Sequence, residues 1–414
     1  MKKIIILYLF LNLTNFSIAE IHEEILGKSK GYPSCHLWLE SNDVCKVGTF
    51  SNPHANEDSF VISQVNPSPN PIKLKYTSHI NKDEIEKKLD IENYLNKQRA
   101  TSLMIISNNE IFVEKYQYAR TAEMHFKSFS MSKSIISVLA GIALEKGFIS
   151  SLDDKAEIYI PEIAGTAYGE TTIRNFLRMS SGVEFNDGNE NYGTTIGDMN
   201  KFFGTLLFKP NGKNAIAINA KLFNKRKYKQ GMKFYYSSAD TEFLTRIVVN
   251  ATKKNITQLT QEWIWNPIGA EDSAYWLVYK SDNIENGSGG FYATLRDYAK
   301  FAIMLANDGN VDGNQVVSKK YLIDATDSDL QPNGFKSTQA QFNDGYGYQF
   351  WIIPIKERTF AMKGIYGQNI IIQPSSKIVM IQTSVYEKPA GDPSWNKQTD
   401  LFKSAIKFFG VNPN

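Results

Sequence analysis

Ser128-Phe129-Ser130-Met131-Ser132-Lys133-Ser134 leads into Ile135, Ile136, Val138, Leu139, Ile142 and Leu144, and the run stops at Lys146-Gly147. The apolar positions recur at helical spacing, and a basic residue followed by glycine is an ordinary C-terminal cap. Ser130 is thereby placed at or near a helix N-terminus, where the positive end of the helix dipole favours developing negative charge. Lys133 follows about one turn later on the same face, so its amine can reach the Ser130 hydroxyl. Serine is also a good N-cap, and Ser-x-x-Lys recurs at Ser394 with Lys397 and at Ser404 with Lys407. Context separates the three matches. Only the first opens a long apolar helix directly after a pair of strands; the other two read as a C-terminal loop and a surface helix.

Upstream, 102–106 and 111–116 are strand-like runs on either side of Asn108-Asn109, a good hairpin turn. Before them, Ile85, Leu89, Ile91 and Leu95 give 82–97 the spacing of one amphipathic helix. Far downstream, 345–353, 359–362, 369–373 and 378–384 again read as strands, with Pro374-Ser375-Ser376 as a turn. A last helix over about 398–409 should pack Leu401, Ala405 and Phe408 against them. Antiparallel hairpins near both ends predict an α+β fold: one antiparallel sheet built from N- and C-terminal segments, flanked by helices, with a mostly helical insertion. Residues 20–80, punctuated by Pro67, Pro69 and Pro71, read as an irregular extension before a domain over 81–414.

The chain begins with Lys2 and Lys3, an apolar run over 4–13, and small residues at Ser17 and Ala19. This pattern is that of a secretory signal peptide over 1–19, so the mature protein is expected to be periplasmic or secreted. No segment offers the roughly 20 apolar residues of a transmembrane helix. The only two cysteines, Cys35 and Cys45, are closely spaced in an exported chain, which favours a disulfide between them. With 46 basic against 43 acidic residues the formal charge is +3; no basic run is dense enough to suggest nucleic acid as a partner. No repeat period is evident.

If Ser130 is a nucleophile it needs a base. All five histidines, at 22, 36, 54, 79 and 125, precede it, and there is no Gly-x-Ser-x-Gly elbow, so a Ser-His-Asp triad is hard to build. The same scarcity, without a His-Glu-x-x-His pattern, argues against a zinc hydrolase; neither metal nor organic cofactor is implied. A lysine can serve if desolvation or a neighbouring cation lowers its pKa. A tyrosine that could pass the proton onward stands in Lys233-Phe234-Tyr235-Tyr236-Ser237-Ser238, just before the helical run Phe243, Leu244, Ile247 and Val248.

Ser130-Met131-Ser132-Lys133 together with Tyr236-Ser237-Ser238 resembles the first two boxes of the serine β-lactamase and D-alanyl-D-alanine peptidase superfamily, in its class C-like branch. Leu177-Arg178-Met179-Ser180-Ser181-Gly182 and Gly289-Gly290-Phe291, followed by Asp297, resemble further family segments, and the likeness runs from about 100 to 409. It implies a β-lactamase/transpeptidase-like fold. The family's second box is usually Tyr-x-Asn, and Ser238 stands where asparagine is common. The third box departs most: in Met362-Lys363-Gly364-Ile365, Met362 holds the place of a lysine or histidine, and Lys363 is one step out of register. This version is similar to that of 6-aminohexanoate-dimer hydrolases and related esterases.

The resemblance implies catalytic roles for Ser130, Lys133 and Tyr236, with the amides of Ser130 and Ile365 holding the oxyanion, and Gly364 bare so that substrate can approach the strand. Ser238 and Tyr192, the latter in the loop after Gly182, are further candidates for substrate binding. The expected activity is hydrolysis of a small-molecule amide or ester through an acyl-enzyme. Two alternatives stand beside it: a non-catalytic ligand- or cell-wall-binding protein of the same fold, favoured by Ser238 and Met362, and a true β-lactamase or D,D-peptidase.

Overall fold

The computed structural model describes residues 18–36, 42–187, 197–208, 215–340 and 343–410. Its main sheet has eight strands, with Ala100–Ser107 third from one edge, between Glu110–Tyr116 and Ile378–Ser384. Beyond the latter come Gln368–Gln373, Phe360–Gly364, Trp351–Ile352 and Gly345–Tyr346, all antiparallel; Lys75–Tyr76 closes the other edge in parallel with Glu110–Tyr116. The sheet thus joins segments from both ends of the chain, as the paired hairpins predict.

Side chains alternate between two cores. Leu103, Ile105, Ile371 and Met380 face a layer made by the Lys82–Lys88, Ile91–Lys97 and Ser394–Phe408 helices. Met104, Ile106, Met362, Ile370 and Ile381 face the larger core, with the central Ser132–Glu145 helix and the Leu295–Ala306 helix. Helices cover both faces, so Ala100–Ser107 is buried at every position and its sequence is nearly continuous in apolar residues.

Four expectations are corrected. The predicted 82–97 helix is two helices, because Asp90 adopts a left-handed conformation at φ 52° and breaks the run. Residues 345–353 form two short strands in a tight hairpin, not one. The last helix begins at Ser394, a turn earlier than predicted, so both spare Ser-x-x-Lys matches lie on one helix, and neither is in a loop. Residues 20–80 are not merely irregular: Phe60–Val65 is a strand pairing over its whole length with Ala274–Tyr279. With Phe291–Ala293 and Phe126–Lys127 they make a second, four-stranded sheet within what was expected to be a mostly helical insertion. Its partners are far apart in sequence, so no local turn signal announces it.

The Cys35–Cys45 disulfide is present. Next to it, the fully buried Lys46 amine donates to Asp43 and to the carbonyls of Tyr386 and Glu387, which fastens the extension to the end of the main sheet. Residues 1–17, most of the predicted signal peptide, and Tyr192 lie outside the described residues.

Candidate active site

The turn carrying Ser130 is a 3-10 segment, Phe129–Met131, that runs straight into the Ser132–Glu145 helix. It is tied down on both sides: Ser128 N–H donates to the Phe291 carbonyl at 2.8 Å and Lys127 N–H to that of Phe50 at 2.7 Å. Phe129 has φ 44°, a left-handed conformation that costs a bulky residue about 1–3 kcal/mol and persists only where surroundings enforce it. From 126 to 143 every residue is buried except Ser130, which alone in this stretch reaches solvent.

The Lys133 amine lies 2.8 Å from the Ser130 hydroxyl and 2.6 Å from the Ser288 carbonyl. The side chain is almost completely enclosed, and burial pushes its pKa down to about 8, against the opposing pull of Asp187 and Glu242. Glu242, inward on the Ser238–Thr252 helix, accepts from Ser288 N–H at 3.0 Å and from Arg246, which also grips Asp282. The loop that presents the Ser288 carbonyl to Lys133 therefore rests on a buried ionic network.

Tyr236 approaches from the other side. Ser237, capping the Ser238–Thr252 helix through the Asp240 amide, fixes the entry of the chain just after it. The phenol is hydrogen-bonded to Ser130; burial and the nearby Asp187 carboxylate raise its pKa, while that bond opposes them. Its ring stacks on Trp351, with centroids 5.6 Å apart and planes at 21°, and the Lys133 amine lies 5.2 Å from its centre. Ser130, Lys133 and Tyr236 are thus brought together in one place.

Ser238 sits beside this group but is engaged elsewhere: its hydroxyl and amide both donate to Asp187. Asp187 is buried, which lifts its pKa to about 6 in spite of Lys133 and the two Ser238 bonds. Nothing in Phe185-Asn186-Asp187 distinguishes this acid from a surface one, and sequence reasoning missed it. Glu242 was also missed, though an acid and Arg246 one turn apart inside the apolar run Phe243, Leu244, Ile247 and Val248 were a readable sign of a buried pair.

Gly364 ends the Phe360–Gly364 strand beside the Ser130 turn. A Cβ there would stand 2.3 Å from the Ser128 carbonyl and 3.1 Å from the Ser130 nitrogen. The chain's own backbone therefore requires a bare glycine at this position. This close approach brings Gly364, the residue before Ile365, against the Ser130 turn. Met362 is buried in the larger core, while Lys363, on the opposite face, pairs with Asp344 at 2.5 Å. Among the described residues, no cluster of three or more His, Cys, Asp or Glu side chains could hold a metal ion.

A strand pair leading to a serine and lysine one turn apart, with a tyrosine across from them and a glycine strand alongside, is the arrangement of the penicillin-recognising serine enzymes. The beta-lactamase family model matches residues 90–400. The chain therefore belongs to the beta-lactamase family of serine hydrolases. A 6-aminohexanoate-dimer hydrolase of Paenarthrobacter ureafaciens is 23% identical over 306 residues, spanning 72% of this chain and 76% of that protein. Among solved structures, a Bacillus anthracis protein provisionally assigned as a 6-aminohexanoate-dimer hydrolase superposes with a TM-score of 0.74 at 22% identity, covering 89% of this chain and 96% of its own. A family VIII carboxylesterase gives a TM-score of 0.61 at 15% identity, covering 81% and 99%.

Proposed function

We propose that this protein is an exported hydrolase that cleaves a small amide or ester through an acyl-enzyme on Ser130. The observation that carries the proposal is the 2.8 Å contact between the Lys133 amine and the hydroxyl of Ser130, the one residue of its stretch that is not fully buried, with Tyr236 bonded to the same serine. Neutral Lys133 takes the Ser130 proton as the oxygen attacks the carbonyl. The negative charge that develops on the carbonyl oxygen is met by the Ser130 and Ile365 amides. As the intermediate collapses, Tyr236 gives a proton to the leaving nitrogen or oxygen and is reprotonated through Lys133. Water then attacks the acyl carbon by the same route, releasing the acid and restoring Ser130.

The disulfide supports an oxidising compartment. The N-terminal Lys2-Lys3 and apolar run support export, with removal of 1–19 and a domain over 81–414 preceded by the disulfide-bonded extension. No helix among the described residues is long and apolar enough to cross a membrane. The burial of Met362 and the engagement of Lys363 by Asp344 argue against substrates recognised through a carboxylate by a third-box cation, so nitrocefin turnover should be weak. The 6-aminohexanoate-dimer hydrolase relative favours a small amide or ester instead.

A fluorophosphonate probe, followed by peptide mapping, tests the nucleophile: label on Ser130 in the folded protein is expected, and label elsewhere or none overturns the reading. Comparing wild type with Lys133→Ala on p-nitrophenyl esters separates an enzyme from a binding protein of the same fold, which would show equal rates.

A further inference from the structure

Two bulky residues flanking the proposed oxyanion amides hold left-handed backbone conformations. Phe129, immediately before Ser130, has φ 44°, and Tyr366, immediately after Ile365, has φ 61°. Neither is glycine, so each must be held there by what surrounds it. Both rings pack on the same side chain, Phe50 of the N-terminal extension: Phe50 meets Phe129 edge-on at 4.7 Å and Tyr366 at 5.4 Å, and the two meet each other at 5.9 Å. The Phe50 carbonyl also accepts from Lys127 N–H, three residues before Ser130. Phe50 ends the Asp43–Thr49 helix as its C-cap. That helix carries Cys45 of the disulfide and Lys46, whose amine lies 4.6 Å from the Tyr366 ring centre and donates to the Tyr386 and Glu387 carbonyls.

We infer that Phe50 is a positioning residue for the oxyanion hole: the disulfide-bonded extension clamps the backbones before Ser130 and after Ile365, and so sets the spacing of their two amides. This rests on the hydrolase reading above. The extension lies before the span matched by the family model. A donor pair aimed at an oxyanion depends steeply on geometry, so a small relaxation here should show in catalysis before it shows in substrate binding.

The test compares Phe50→Leu and Phe50→Ala with Phe112→Leu, which loosens another edge-on pair, buried Phe112 with half-buried Phe409, in the core on the far face of the sheet. For p-nitrophenyl acetate, kcat should fall about tenfold or more in the Phe50 variants with KM within about twofold, as for loss of part of one oxyanion donor. Affinity for phenylboronic acid, whose tetrahedral adduct places an oxygen in the hole, should fall by a similar factor. Phe112→Leu should lower thermal stability comparably but leave both readouts near wild type. Amide hydrogen exchange should rise in peptides covering 128–131 and 364–367 in Phe50→Leu and not elsewhere in the main sheet. Unchanged kcat in folded Phe50→Leu, a fall in kcat without a fall in boronate affinity, or an equal effect of Phe112→Leu would each overturn the inference. Should wild type neither hydrolyse the ester nor take the fluorophosphonate, the hydrolase reading itself fails. The exchange comparison then decides the clamp alone.

Discussion

The Ser238 hydroxyl and amide converge on the two oxygens of Asp187, at 3.0 and 3.1 Å, so the residue at the usual asparagine position of the second box holds a buried carboxylate beside Lys133. That carboxylate raises the Lys133 pKa and the Tyr236 pKa alike. Asp187→Asn removes the charge and keeps an acceptor for Ser238. Lys133 should then lose its proton more readily, and the rising limb of kcat/KM against pH should move to lower pH by up to about one unit. A limb that stays in place or moves upward, measured with a p-nitrophenyl ester, would contradict the electrostatic coupling.

In the proposed mechanism Lys133 must be neutral to accept the Ser130 proton, and its pKa is depressed to about 8. Activity should therefore increase about tenfold per pH unit below that value and level off above it, with about one molecule in ten in the active form at pH 7. Lys133→Ala should lower kcat/KM by about 10²–10⁴-fold and abolish this limb. A pH–rate profile on both proteins checks the pair of outcomes.

Gly364→Ala puts a methyl group 2.3 Å from the Ser128 carbonyl. Neither partner is the end of a flexible side chain, so strand and turn must separate. A displacement of this kind near the reacting atoms should cost about 10²-fold in kcat/KM. Thermal unfolding measured alongside should show a lowered midpoint with a cooperative transition retained.

Cys35 and Cys45 close a loop with a sequence separation of 10. Replacing both by serine should lower stability by about 2–3 kcal/mol, read from urea unfolding followed by tryptophan fluorescence. Identical unfolding midpoints for wild type under reducing and oxidising conditions would show that the bridge constrains nothing.

Much of this was legible because it was written locally. The apolar periodicity after Ser130, the Lys146-Gly147 stop and the Asn108-Asn109 hairpin each declare themselves within a few residues, and the observed helix and hairpin follow them. The α+β class followed from hairpins at both ends of the chain. What stayed hidden depends on distant partners. Phe60–Val65 has exposed and half-exposed positions between its buried ends, and its pairing strand lies beyond residue 270. Asp90 breaks a helix through a backbone conformation that its apolar neighbours do not report. Asp187 looks like any loop acid until Ser238 is folded over it. The closeness of Gly364 to the Ser128 carbonyl joins a strand to a turn more than 230 residues earlier, which no local pattern announces.

Because the main sheet is stitched from the two ends of the chain, Gly364 reaches the Ser130 turn only after the last strands have docked. A polypeptide whose C-terminal strands are not yet in place carries its serine and lysine without the strand that lies against the Ser130 turn. Under the proposed function, ester turnover would report on completed folding, and partly synthesised or C-terminally clipped molecules should be inert.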